Sequence, residues 1–305
     1  MSANSIDEAA TNEVCASCGI AAGSDIKLRK CTACKNVKYC SVECQKNHRP
    51  KHKKACKKRA AELRDEILFK QPESTHEGEC PICCIPHSLD VSKGTMMPCC
   101  SKTICNGCYF AMGYHTQCPY CRLPVPGTVA ETGGETLIQQ YRKKRLEAND
   151  DIAIRQLGTQ LLGKGDYIGA CEQWKKAAEM GNSRAHYELA VMYGRGRGVE
   201  EDSEKEKYHL EEAAIGGNPK ARHYLGHYEY SHGNRDRAME HWIIAAKQGY
   251  DESMKTVNEY FSRGVVPLGI YMNTFRGYEA AINATKSPQR EKAEAAKEQR
   301  EKAEA

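Results

Sequence analysis

The chain has 305 residues, 40% of them hydrophobic, with 45 Lys and Arg against 40 Asp and Glu and a formal net charge of +5. A mean hydropathy of -0.69, with no stretch near the ~18 apolar residues of a membrane helix, argues against a membrane-spanning helix. The length suits two or three domains, the apolar supply argues against one large core, and the charge is too mild to imply nucleic acid by itself.

Cysteine is the informative residue. There are 17, and all but Cys171 lie between Cys15 and Cys121. Such a cluster is either a disulfide framework or a set of metal ligands. The N-terminal stretch MSANSIDEAATNEV has neither the basic start nor the apolar run of a secretory signal. A reducing compartment is therefore expected, cytoplasmic and/or nuclear, where clustered cysteines serve metals more often than disulfides.

In chain order, residues 1–14 are polar and predicted to be disordered. Residues 15–56 carry Cys15-x2-Cys18, Cys31-x2-Cys34, Cys40-x3-Cys44 and His52-x3-Cys56. Close pairs suit tetrahedral zinc because one tight turn presents both ligand atoms, and eight ligands fill two sites. A module this small cannot hold a core, so metal binding supplies most of its folding free energy. Its end is basic, with Lys46, Arg49, Lys51, Lys53, Lys54, Lys57, Lys58 and Arg59. Nucleic-acid contact or an import signal competes there with a solvated helix face. No aromatic residues interleave with the charges, so nucleic-acid binding is not expected.

Residues 57–79 are predicted to be a helical linker. Ala61, Leu63, Ile67 and Leu68 place a short helix over 57–70, and a loop runs from Pro72 to Gly78. Residues 80–122 hold the second cluster: Cys80-x2-Cys83, the adjacent Cys99 and Cys100, Cys105-x2-Cys108 and Cys118-x2-Cys121. Cys84, His87 and His115 are further candidate ligands. Two more zinc ions are expected here, four in all. Pro124, Pro126, Gly127, Gly133 and Gly134 mark a linker over 123–149.

From about residue 137 the pattern turns helical, and over 150–263 it repeats. The segments WKKAAEMGN at 174–182, LEEAAIGGN at 210–218 and WIIAAKQGY at 242–250 align on Ala177, Ala213 and Ala245, with periods of 36 and 32 residues. A fixed period of this length predicts stacked helical hairpins. Gly181, Gly217 and Gly249 sit where a helix end needs positive φ, and Trp174, Leu210 and Trp242 are the expected inter-helix core. Residues 264–305 form a C-terminal extension. From Thr285 it is rich in Ala, Glu, Lys and Gln, which predicts a solvated helix or disorder and assigns it no function.

The first module resembles a MYND finger, with the same ligand order and the closing His-x3-Cys. Val37 to Lys46 is similar to the family's central segment. The resemblance implies interleaved sites, Cys15, Cys18, Cys40 and Cys44 in one, and Cys31, Cys34, His52 and Cys56 in the other. His52 is preferred to His48 because it alone keeps the family spacing. The aromatic residue usual before the ligand His is absent; the stretch reads Asn47-His48-Arg49-Pro50.

The second module resembles a RING finger, whose cross-brace implies Cys80, Cys83, Cys105 and Cys108 in one site. Cys99 and Cys100 are preferred as partners of Cys118 and Cys121, because Lys102 stands where the family has His. The resemblance also implies that Ile82, Pro119 and Arg122 contact a ubiquitin-conjugating enzyme. The alternative is that Ile82 and Pro119 only shape the zinc loops and Arg122 is an exposed charge. The repeats, with the turn at Arg195-Gly196-Arg197-Gly198-Val199, resemble Sel-one-like repeats, relatives of the tetratricopeptide family. That implies a solenoid binding proteins on its concave face; Ser231-His232-Gly233-Asn234 shortens the later turn.

The expected fold is mainly α: two small zinc-stapled modules followed by an α-α solenoid of about three repeats. The leading functional reading is a RING-type ubiquitin ligase with no covalent nucleophile. Its RING-like module would recruit the conjugating enzyme, and the repeats, with or without the MYND module, the substrate. The alternative is a non-enzymatic zinc-binding scaffold. A MYND-containing transcriptional cofactor or methyltransferase is a weaker third, since no strand-rich catalytic region or Gly-rich cofactor loop is visible.

Overall fold

The computed structural model describes residues 14–113, 116–125 and 134–304. The chain falls into two compact units, Met1–Lys70 and Gln71–Ala305. Of the sequence expectations, those on residues 1–13, His115, Pro126, Gly127 and Gly133 lie outside the described residues.

The first unit is a two-stranded hairpin and one long helix. β1 (Arg29–Lys30) pairs antiparallel with β2 (Lys38–Tyr39), Arg29 opposite Tyr39. Helix α1 (Val42–Leu68) starts at Ser41, whose side chain accepts from the Cys44 N–H, satisfying one of the orphan donors of the first turn. The short helix expected from residue 57 is thus the second half of a helix that begins inside the metal module. Ala61 and Ile67 are exposed and Leu68 is buried, so the apolar spacing marks a helix but not a buried stripe. Lys46, Arg49, Lys51, Lys53, Lys54, Lys57 and Lys58 are exposed along it, and Arg59 pairs with Glu62 and Glu66.

The second unit begins with the other cysteine module. β3 (Gly94–Met96) pairs antiparallel with β4 (Thr103–Cys105), Thr95 opposite Ile104. Helix α2 (Asn106–Ala111) follows at once. Met97 and Ile104, at 1% and 0% exposure, make a small core with the cysteines and with Tyr141. Tyr141 belongs to α3 (Gly134–Glu147), and its hydroxyl donates to Pro124 O at 3.0 Å. The helical pattern read from about residue 137 is thus α3, which lies within the stretch assigned to a linker and completes the module's core.

Helices of 12–13 residues then stack in succession: α4 (Asp151–Gly163), α5 (Tyr167–Glu179), α6 (Ser183–Arg195), α7 (Ser203–Ile215), α8 (Pro219–Ser231), α9 (Arg235–Lys247) and α10 (Asp251–Ser262). Asp150, Asp166, Asn182, Asp202 and Asn218 cap five of them by accepting the N–H three residues on, each worth about 1 kcal/mol. Gly181, Gly217 and Gly249 have φ of +85°, +79° and +85°. Trp174, Leu210 and Trp242 are buried to 0–2% exposure with the paired alanines beside them. The Trp174 indole donates to Arg155 O at 3.1 Å and that of Trp242 to His223 O at 3.2 Å. Each indole lies over a glycine of the preceding helix, Gly158 and Gly226. The device occurs in the first and third repeats; in the second, Leu210 takes the indole's place and Gly194 faces Glu206 instead.

Two helices close the chain, α11 (Leu268–Ala284) and α12 (Pro288–Glu304). The tail expected to be a solvated helix or disordered is the helix α12, but one face of it is packed: Arg290 and Ala293 are 9% and 7% exposed. Alternating Ala, Glu and Lys give a good helix former, but nothing in that composition announces a buried arginine.

Candidate metal centres

Four tetrads form among the described residues, the ligand atoms of each within 4.8 Å of one another. They are Cys15, Cys18, Cys40 and Cys44; Cys31, Cys34, His52 and Cys56; Cys80, Cys83, Cys105 and Cys108; and Cys99, Cys100, Cys118 and Cys121. In both modules the ligand pairs alternate between sites along the chain, so each ion ties together segments far apart in sequence.

Local structure presents the ligands in two ways. The first is a knuckle. In four Cys-x2-Cys pairs the N–H after the second cysteine donates to the carbonyl of the first: Gly19 to Cys15 at 2.9 Å, Lys35 to Cys31 at 3.0 Å, Cys84 to Cys80 and Arg122 to Cys118 at 2.8 Å. These four residues all have positive φ, +76°, +56°, +54° and +61°. The second is helix α1, where Cys44, His52 and Cys56 stand at multiples of four residues and so share one face.

The distances fit a tetrahedral ion. At ~2.3 Å from zinc, ligand sulfurs are separated by about 3.8 Å. Here Cys18 and Cys40 Sγ are 3.6 Å apart, Cys31 and Cys56 3.8 Å, Cys83 and Cys105 3.8 Å, and Cys100 and Cys118 3.9 Å. His52 Nε2 is 3.3 Å from Cys34 Sγ. All are far beyond the ~2.05 Å of a disulfide.

The electrostatics lead the same way. Burial works to raise Cys15, but N–H groups of Cys18, Cys40 and Ser17 outweigh it and draw the thiol down to about 6. Cys31 is held at about 6, where burial is outweighed by the N–H of Cys34 and by His52. Cys40, beside the sulfurs of Cys44, Cys18 and Cys15, is pushed up to about 12. Burial and the sulfurs of Cys31 and Cys34 push Cys56 to about 11. In each of these two clusters one thiol is drawn down and at least one other is pushed up by its neighbours' sulfurs, as crowded thiolates without a cation between them require.

The other candidates among the described residues have different surroundings. His48 is not in a tetrad; its Nδ1 is 3.1 Å from the Tyr39 hydroxyl and its ring stacks on His52 at 5.5 Å. It braces the ligand imidazole. Cys84 is exposed and outside the tetrads. His87 is 6% exposed with Nε2 3.1 Å from Thr103 O, and burial lowers its pKa, so it is a neutral packing residue. Ile82 is 42% exposed, Pro119 is half-buried and Arg122 exposed. Cys171, outside both modules, is buried with its Sγ 3.7 Å from Arg197 O.

Sequence reasoning missed the braces. Tyr39, Tyr141 and Arg290 touch the metal modules, but nothing in their local sequence marks them. Of the four residues that follow a knuckle, only Gly19 carries a sequence signal, since glycine is the default residue for positive φ; Lys35, Cys84 and Arg122 carry none.

Residues 15–56 match the family model of the MYND finger, and with its two tetrads this module is a MYND finger that binds zinc. None of the curated proteins matches the chain. Among solved structures, a Sel1 repeat protein from Oxalobacter formigenes is 25% identical, with a TM-score of 0.41, over 48% of this chain and 64% of that protein. A protective antigen of uropathogenic Escherichia coli strains, displaying an SLR fold, is 20% identical, with a TM-score of 0.39, over 47% of this chain and 33% of its own. MamA is 18% identical, with a TM-score of 0.32, over 51% of this chain and 95% of its own. The chain thus spans less than two thirds of the first two.

Proposed function

We propose that this chain is a zinc-stapled protein-interaction scaffold, in which metal ions build surfaces and helical repeats extend them. The observation that carries the reading is that every tetrad is closed by four protein ligands. A closed site leaves no position for substrate or water, and so serves structure rather than chemistry. The solenoid adds an extended surface of the kind that binds proteins. Peptide capture by the MYND finger has less support, because Asn47-His48-Arg49-Pro50 lacks the aromatic residue usual there.

The ubiquitin-ligase reading stands second, resting on the exposure of Ile82 at 42% and of Tyr120 at 50%. These two are equivalent, since Cys80-Pro81-Ile82-Cys83 and Cys118-Pro119-Tyr120-Cys121 are the same motif. That equivalence weakens the reading elsewhere: Pro119 matches Pro81 as a knuckle residue, and Arg122 matches Cys84 in its positive φ. The knuckle geometry thus accounts for Pro119, whereas positive φ at Arg122 favours glycine and leaves the choice of arginine unexplained.

Single-turnover discharge of ubiquitin from a panel of charged conjugating enzymes separates the readings. The scaffold reading expects no acceleration by the zinc-loaded full chain. Acceleration lost in both Ile82→Ala and Arg122→Ala, with zinc retained, would establish the ligase.

A further inference from the structure

We propose that helix α12 is a working part of the Cys80/Cys83/Cys105/Cys108 zinc site, with Arg290 the positioning residue that braces its thiolates from outside. The helix lies against α2, and the approach is close because residue 107 is glycine. A Cβ there would fall 2.8 Å from both the backbone N and the Cγ of Arg290. The guanidinium is then placed behind the first knuckle. Its Nη1 donates to Pro86 O and Thr285 O, both at 2.7 Å. Its Nη2 donates to Ile85 O at 3.0 Å and reaches Cys83 Sγ at 3.7 Å. Ile85 O also accepts the N–H of the ligand Cys80 at 3.1 Å, so one arginine grips the loop at both ends of the knuckle.

The chemistry explains why a buried charge sits here. Arg290 is 9% exposed, and burying an unpaired cation is costly. Four thiolates around a divalent ion leave about two negative charges, which a permanently charged, forked donor both offsets and orients. Partners of this kind, one step beyond the ligands, typically change metal affinity ~10–100-fold. The exposed Lys93–Glu294 pair, 3.0 Å apart, adds little by comparison. Coupling is reciprocal: whatever the docked helix adds to metal affinity, the metal adds to helix docking. The tail would then report the metal state of the module. The inference rests on this tetrad taking zinc.

The test uses the full chain, Arg290→Ala, Arg290→Lys and a chain ending at Lys286. Native mass spectrometry across a chelator series counts zinc, and cobalt substitution reads the thiolate-to-metal band. All four proteins are expected to take up four ions. In Arg290→Ala and the shortened chain one ion should be held ~10–100-fold more weakly, with a shifted cobalt band. Arg290→Lys should recover part of the loss, because it keeps the charge but not the fork. The inference is overturned if all four ions are held within twofold of the parent in both variants, or if all four weaken together. A parent that takes no zinc at this tetrad, seen as three ions at saturation, overturns the metal assignment and the inference with it.

Discussion

Gly158 and Gly163 stand in the same helix, and alanine at the two should act with opposite sign. At Gly158 an added Cβ would lie 2.6 Å from Nε1 and 2.7 Å from Cδ1 of Trp174. The indole is fully buried and donates to Arg155 O at 3.1 Å. It must move about 1 Å to reach ordinary contact. Overpacking costs ~1–3 kcal/mol, and stranding the indole N–H costs ~1–3 kcal/mol more. The helix propensity of alanine returns ~1 kcal/mol. The net is a destabilisation of about 3 kcal/mol, which lowers the melting midpoint by roughly 6–12 °C in a unit of this size. At Gly163 nothing lies within 4 Å, so alanine should raise the midpoint by up to roughly 4 °C. The chain has two tryptophans, Trp174 and Trp242, both in the solenoid, so fluorescence melting reads this region free of the zinc modules. Midpoints that shift in the same direction, or no loss in Gly158→Ala, would refute the packing argument.

Other expectations follow from the same contacts. His52→Gln should lower bound zinc from four ions to three, whereas His48→Gln should keep four, as elemental analysis of the purified chain will show; the reverse would exchange their roles. Arg122 has φ of +61°, so Arg122→Gly should retain zinc and stabilise its knuckle by up to ~1 kcal/mol, while Arg122→Val should release zinc to chelator sooner. Equal release by the two would mean the backbone does not govern that position. Burial, reinforced by His186, holds His209 down to about 4, and burial with His227 does the same to His223. Their unfolded values lie near 6.5, so the unfolded chain binds these protons first. The stability these two histidines contribute is therefore fully present above pH 6.5 and is lost as pH falls from about 6.5 through about 4. The tryptophan melting midpoint should decline across that window, and a flat profile from pH 7 to 4.5 would contradict it.

What could be read in the sequence was what chemistry makes periodic or paired. Cysteine spacing carries the ligand pairs because a knuckle needs a fixed number of residues between two sulfurs. The structure groups those pairs in the alternating order that the family resemblances imply. The repeat was legible from Trp174, Leu210, Trp242 and the alanines, because each turn of the solenoid solves the same packing problem. The long-range braces were not legible. Arg290 sits in a run of Lys, Glu and Ala that looks solvated from end to end, and only its placement behind Cys83 sets it apart. Tyr141 likewise lies in a charged helix, and its role comes from folding back onto Pro124. The extent of α1 was missed because its first half carries ligands, whose cysteine pattern masks helical periodicity.

The most direct test of the central claim is native mass spectrometry of the full chain purified without added metal. Four closed sites with fifteen sulfur ligands and one imidazole should give a single species carrying four zinc ions, with only Cys84 and Cys171 free of metal. A species with fewer zinc ions and disulfides among the remaining ligand cysteines would contradict a scaffold built on four metal staples.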